Sequence, residues 1–163
     1  MKVFFDTGVL VAGSEHGHPH YSQAWPALLR VKARKDRGFM SAHSIAEMYA
    51  VLTRLPVQPR IHPGEAARII TENVPARFEM LLVEPKDSTE AVKLVAAGGW
   101  GGAKIYDAPI LGCAAKSGAD RIYTFNLADF RHWRRIWNRE SARHGSSPVV
   151  AGFGVSSSLD CPV

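Results

Sequence analysis

Val3-Phe4-Phe5-Asp6-Thr7-Gly8 is the stretch on which the reading of the fold turns. Three consecutive apolar β-formers make a run too short and too uniformly apolar for a half-solvated strand. They predict a buried first strand, ended by the turn chemistry of Asp6-Thr7-Gly8. A carboxylate at the end of a buried strand is conspicuous, and it directs attention to which other polar groups reach the same edge.

Outward from that strand, Trp25, Leu28, Leu29 and Val31 recur at helical spacing between Tyr21 and Arg34. The basic run Arg30, Lys32, Arg34, Lys35 and Arg37 follows, close to Gly38. Cations there suit the negative end of a helix dipole, so the run reads as helix chemistry before it reads as a binding patch. Gly38 to Ser41 is a brief second strand. Ile45, Met48, Leu52 and Leu55 then step along one face of a helix stopped by Pro56, and a loop reaches Pro63. Pro63 opens a helix to about Asn73, Phe78 to Val83 is strand-like, and Lys86 to Ala97 is helical up to the glycine-rich turn at 98–102. Lys104 to Lys116 forms a helix with Ile110, Leu111, Ala114 and Ala115 as its stripe, before Gly118 and a strand at 121–125. Alternation of short apolar strands with helices predicts an α/β fold, a parallel sheet with helices on both faces.

The 163 residues suit one domain large enough to bury its own core. Apolar residues at 46% and charged residues at 21% exclude a disordered or fibrous chain. Cys113 and Cys161 have no paired spacing and no histidine cluster beside them, which argues against a disulfide framework or a structural zinc and fits a reducing cytoplasm. Asp6 interrupts the first apolar segment and no apolar run approaches ~18 residues, so neither secretion nor a membrane span is expected. The formal charge of +5 tilts the expected partner towards a polyanion.

In open α/β sheets ligands bind outside the carboxyl ends of the strands. Asp6 follows the first strand there, Asn126 and Asp129 follow the strand at 121–125, and Glu47 and Asp107 stand in first turns of helices entered from the same side. Asp107 is the most informative, because Ile110, Leu111 and Ala114 at i+3, i+4 and i+7 put it on its helix's apolar stripe. A buried carboxylate must be paired, protonated, capping a helix or bound to a cation. Each acid has an ordinary structural explanation: a helix cap with Pro109 in the first turn for Asp107, the capping box Ser44-Ile45-Ala46-Glu47, an Asx turn for Asp6, and a turn plus cap for Asn126 and Asp129. Periodicity alone makes Glu47 a solvated residue. Capping accounts for each acid singly, whereas oxygen ligands around Mg²⁺ or Mn²⁺ account for their conjunction.

At these residues the chain resembles PIN domains, most closely the toxin nucleases of the VapBC type of bacterial toxin–antitoxin pair. Four segments carry the resemblance: Val3-Phe4-Phe5-Asp6-Thr7, Ser44-Ile45-Ala46-Glu47, Ile105-Tyr106-Asp107-Ala108, and Thr124-Phe125-Asn126-Leu127-Ala128-Asp129-Phe130. Their order and spacing fit from residue 1 to about 150, which sets the expected nuclease domain at 1–150. Residues 151–163, with three serines in a row, are expected to form a loose tail. The resemblance implies a three-layer α/β/α sandwich with a central parallel sheet, Mg²⁺- or Mn²⁺-dependent cleavage of RNA, a homodimer, and inhibition by a small VapB-like antitoxin. By position, Asp6, Glu47 and Asp107 match the family's acidic metal-binding residues, and Asn126 or Asp129 supplies the fourth group. Thr124 and Thr7 are expected to add hydroxyls.

For gripping RNA, Arg131, His132, Arg134, Arg135, Arg139 and Arg143, interleaved with Trp133 and Trp137, are a candidate strip, also suited to a partner surface. A solvated basic helix over two packed tryptophans has the same spacing. A haloacid-dehalogenase phosphatase with Asp6 as nucleophile is disfavoured, since Gly8 stands where that chemistry has a second aspartate. A housekeeping RNA-processing nuclease and a non-catalytic scaffold are the remaining readings, and the three acids argue against the scaffold.

Overall fold

The computed structural model describes residues 1–127 and 154–156. Its strands are β1 (Lys2–Phe5), β2 (Arg37–Ser41), β3 (Phe78–Leu81), β4 (Arg121–Tyr123) and β5 (Gly154–Ser156). The helices are α1 (Thr7–Ser14), α2 (Tyr21–Lys32), α3 (Ser44–Leu52), α4 (Pro63–Asn73), α5 (Pro85–Ala97) and α6 (Asp107–Ser117), with a 3₁₀ turn at Gly102–Tyr106 before α6. Every strand pair is parallel, and the order is β3-β2-β1-β4-β5. No described helix is long and apolar enough to cross a membrane.

The period-2 alternation of the strands divides the core into two layers. Val3, Phe5, Met40 and Tyr123 face α1 to α4, while Phe4, Phe39 and Ile122 face α5 and α6. A strand buried on both faces has no polar side to show, which is why Val-Phe-Phe is apolar throughout. The result is the three-layer α/β/α sandwich expected from the resemblance. Phe5 packs edge-on to Tyr123 and Phe78, at 5.4 and 5.3 Å between ring centroids, linking β4 and β3 over the central strand.

Four local expectations change. The turn at Asp6-Thr7-Gly8 opens directly into α1, whose residues Thr7, Val9, Leu10, Val11, Ala12 and Gly13 are all buried. A helix buried on nearly every side has no polar face and therefore no stripe to read. It packs so closely on α2 that a Cβ on Gly13 would lie 2.7 Å from Leu28 Cδ2. Helix α3 stops at Leu52, short of Leu55. The stretch from Lys104 is a 3₁₀ turn up to Tyr106, and the α-helix starts at Asp107. Finally β4 ends at Tyr123, so Thr124 and Phe125 leave the sheet. Gly118, at φ 57°, supplies the left-handed residue that closes α6 and turns the chain into β4. Of the stretch read as tail, Gly154–Ser156 pairs with β4, and the remainder lies outside the described residues.

The strand order fixes where a site can form. From β1 the chain adds β2 and β3 on one side, then crosses back to place β4 on the other. Loops after β1 and β4 therefore diverge from adjacent strands and leave a crevice at the carboxyl edge.

Candidate active site

Asp6 sits at that crevice. Its backbone is extended (φ −72°, ψ 151°), and its N–H donates to Tyr123 O at 3.0 Å, so the β1–β4 ladder continues into the site. Although Asp6 stands at the N-cap position of α1, its side chain makes no capping hydrogen bond. The carboxylate Oδ2 instead accepts from Thr124 Oγ1 at 2.8 Å. Thr124 is 1% exposed, and its oxygen accepts the Asn126 N–H at 2.9 Å, which leaves its one proton for Asp6. Phe125 is held in turn by its ring, stacked on His20 at 4.7 Å between centroids.

Burial pushes the Asp6 carboxyl up to about 6, against the lowering influence of the Thr124 hydroxyl and the Thr7 backbone N–H. The negative charges of Asp107 and Glu47 push it further in the same direction. Residues from three helix starts thus act on one another's ionisation: Asp6 before α1, Glu47 in the first turn of α3, and Asp107 as first residue of α6. The positive ends of those helices offset part of the accumulated charge.

Glu47 is drawn into the site. Its side chain is 27% exposed, and its Oε2 lies 2.5 Å from Thr7 Oγ1, which is itself 2.8 Å from Ser44 Oγ. An ionised carboxylate only accepts, so the Thr7 proton goes to Glu47, and Ser44 donates to Thr7. His43 Nε2 stands 3.7 Å from Glu47 Oε1 on the outer side. The capping box does not form: the residue before α3 is His43, no side-chain cap is made there, and Ser44 lies within the helix. Ser44, fully buried, is the positioning residue that sequence reasoning missed, because its place before Glu47 looked like a cap. Asp107 begins α6 after Tyr106, which is already helical in its backbone, so the cap reading of Asp107 is not realised either. Asn126 is exposed beside the crevice. Asp129, Arg131, Arg134 and Arg135 lie outside the described residues, as does the rest of the basic strip to Arg143.

The donor chemistry suits a hard divalent cation: among the described residues three carboxylates are backed by hydroxyls, with the one imidazole, His43, on the outer side of Glu47. Among the described residues no three His, Cys, Asp or Glu side chains are already gathered into a metal-holding group. Asp107 and Glu47 nevertheless lie near enough to Asp6 for their charges to raise its carboxyl.

The family model of the PIN domain matches residues 3–142. The chain belongs to the PIN domain family. This PIN domain is 35% identical over 81 residues to Ribonuclease VapC27 of Mycobacterium tuberculosis (strain ATCC 25618 / H37Rv). That alignment covers 50% of the present chain and spans little more than half of the relative, 57% of its length. Among solved structures it resembles VapC20 of Mycobacterium tuberculosis, a sarcin–ricin loop cleaving toxin, at TM-score 0.60 and 20% identity over 80% of this chain and 94% of that one. It also resembles VapBC2 from Rickettsia felis bound to a promoter DNA fragment, at TM-score 0.56 and 14% identity over 96% of this chain and 100% of that one. At such identities the structural likeness establishes the shared fold.

Proposed function

We propose that this PIN domain is a metal-dependent endoribonuclease and the toxin of a VapBC-type pair. The observation that carries the reading is the state of Asp6, a carboxyl whose ionisation is opposed by burial and by two neighbouring acids, yet which a threonine hydroxyl and a backbone N–H hold in place. Such an arrangement is unfavourable for the empty protein and favourable for a cation. Asp6, Glu47 and Asp107 are the residues that would hold Mg²⁺ or Mn²⁺, with Asp129 or Asn126 as the remaining group. When bound, the cation supplies Lewis-acid stabilisation of the phosphodiester and a more acidic attacking water.

The chain's own residues do the positioning. Thr124 fixes the Asp6 rotamer, and Thr7, backed by Ser44, fixes Glu47. Both hydroxyls lie at the crevice floor, so the carboxylates keep their orientation when charge enters the site. Arg131, Arg134 and Arg135 are proposed to meet RNA phosphates or the partner. The relatives named for ribonuclease activity and for complexes with an antitoxin support the toxin assignment, with a VapB-like antitoxin, a homodimer and a cytoplasmic setting as its corollaries.

The test is cleavage of a panel of single-stranded and hairpin RNAs by the purified chain with Mg²⁺, with Mn²⁺ and with EDTA. The expected result is cleavage with either ion, abolished by EDTA and by Asp6→Ala or Asp107→Ala in variants that keep the wild-type circular dichroism. Full activity in either variant would overturn the assignment.

A further inference from the structure

At the amino edge of the sheet, the opposite end of β1 from Asp6, lies a cavity of about 770 Å³ ringed by Lys2, Lys32, Arg34, Lys35 and Arg77. Three acids also line it, and each is already occupied. Asp36, fully buried at its side chain, pairs with Arg30 Nε at 2.5 Å and with the terminal amino group at 3.2 Å. Glu79 is bound by Arg37 through both oxygens, and Asp120 Oδ2 accepts the Lys2 backbone N–H at 2.8 Å. The basic run read above as helix-end chemistry therefore splits in two. Arg30 and Arg37 are consumed by ion pairs, whereas Lys32, Arg34 and Lys35 make none among the described residues.

Arg34 carries a second signal. The end of α2 is a Schellman motif, with Lys35 N–H donating to Arg30 O and Arg34 N–H to Val31 O, both at 2.9 Å. Its left-handed position, φ 55°, is filled by Arg34, where glycine or asparagine is the unstrained choice. Arg34 thus occupies a strained backbone position on the rim of a cavity where Lys32 and Lys35 make no ion pair among the described residues, which sets its guanidinium beside two further cations.

We infer that this cavity is a phosphate-binding site, separate from the acidic crevice, that takes a phosphate-bearing ligand: a free polyphosphate or the backbone of a nucleic-acid strand. Lysines and two arginines at the start of β1, the end of α2 and the turn before β3 offer donors on three sides, and they outnumber Asp120, the one acid of the rim with no ion-pair partner among the described residues. Strand β1 separates the two sites by its own length of four residues, roughly 13 Å at about 3.3 Å per residue, too far for one phosphate to serve both.

The experiment is amide chemical-shift titration of the full chain in EDTA with two probes, inorganic pyrophosphate and a twelve-nucleotide single-stranded DNA. Expected are shifts at Lys2, Arg34, Gly38 and Asp120, with affinity falling as salt rises. If the strand binds with a salt slope steeper by about 0.7 per additional contact, the ligand is a nucleic-acid backbone; binding of pyrophosphate alone assigns a small polyphosphate. Lys32→Gln with Lys35→Gln should weaken binding at least about tenfold, removing two counterion-releasing contacts. Arg34→Gly should weaken binding while melting at the same temperature or higher, because it relieves the strained backbone. No shift with either probe at millimolar concentration, or unchanged binding in these variants, would overturn the site. The outcome does not depend on whether the acidic crevice cleaves RNA.

Discussion

Thr124 Oγ1 donates to Asp6 Oδ2 at 2.8 Å, joining residues 118 positions apart across the point where strand order reverses between β1 and β4. The bond ties the acid ending the first strand to the residue that follows the fourth. It makes the crevice a property of the sheet topology and not of any single loop.

Removing that hydroxyl without changing the side-chain shape tests its role. Thr124→Val leaves Asp6 without its donor and the Asn126 N–H without its acceptor. A hydrogen bond to a charged group contributes about 1.5–3 kcal/mol, so activity at limiting Mg²⁺ should fall roughly 10- to 150-fold. Thr124→Ser should restore most of it. Steady-state cleavage against metal concentration is the readout, and equal activity in the valine variant would remove Thr124 from the positioning role.

Asp6 should be a functional group held at a cost in stability. Its folded value, about 6, lies above the ordinary 3.8, so the folded state keeps the proton over an interval in which the unfolded chain releases it. Stability of the metal-free protein should therefore decline as pH rises from about 4 to about 6 and then level off. Asp6→Asn removes this component and should stabilise the metal-free chain at neutral pH by up to about 3 kcal/mol, with no gain below about pH 4. Urea denaturation of both proteins across that range isolates Asp6 from carboxylates such as Asp36, whose ionisation the Arg30 guanidinium favours and which act in the opposite direction.

The Ser44–Thr7–Glu47 chain should behave as a unit. Thr7→Val breaks the contact to Glu47 and leaves the buried Ser44 hydroxyl without its partner. The expected cost is about 1–3 kcal/mol. In a double-mutant cycle with Ser44→Ala the two losses should not add, with a coupling of at least about 0.5 kcal/mol, and additivity would show the contacts to be independent.

Gly13 offers a purely structural prediction. A methyl group there meets the Leu28 side chain at 2.7 Å where α1 crosses α2, so in Gly13→Ala overpacking of about 1–3 kcal/mol should outweigh the roughly 1 kcal/mol that alanine gains in a helix interior, for a net loss of up to about 2 kcal/mol. A shifted urea midpoint with an unchanged m value is the expected signature, and metal dependence of cleavage should be unaltered.

These relationships divide between what a linear sequence carries and what it does not. Strand β1 was legible because it is a short apolar run ended by Asp6, the pattern a parallel sheet demands, and β3 was legible although Glu79 interrupts its apolar residues. Helix α1 was not, because it is buried almost all round and shows no polar face. Asp107 stands out in the sequence by its place on the stripe with Ile110, Leu111 and Ala114, and in the fold its charge acts on Asp6, although a 3₁₀ turn precedes it where a continuous helix was expected. Periodicity alone left Glu47 solvated and only the resemblance put it at the site, since periodicity reports only on its own helix and the hydroxyl that holds it belongs to Thr7, 40 positions earlier. The ionisation of Asp6 depends on burial and on charges brought from two other helices, which no local motif encodes.

The most direct test of the central claim is calorimetric titration of Mn²⁺ into the purified chain and into Asp6→Asn and Asp107→Asn. The account expects saturable binding to the wild type, accompanied by proton release near pH 6 as Asp6 ionises, and binding lost or at least about tenfold weaker in both variants. Binding of equal strength in all three proteins, or none in the wild type, would contradict it.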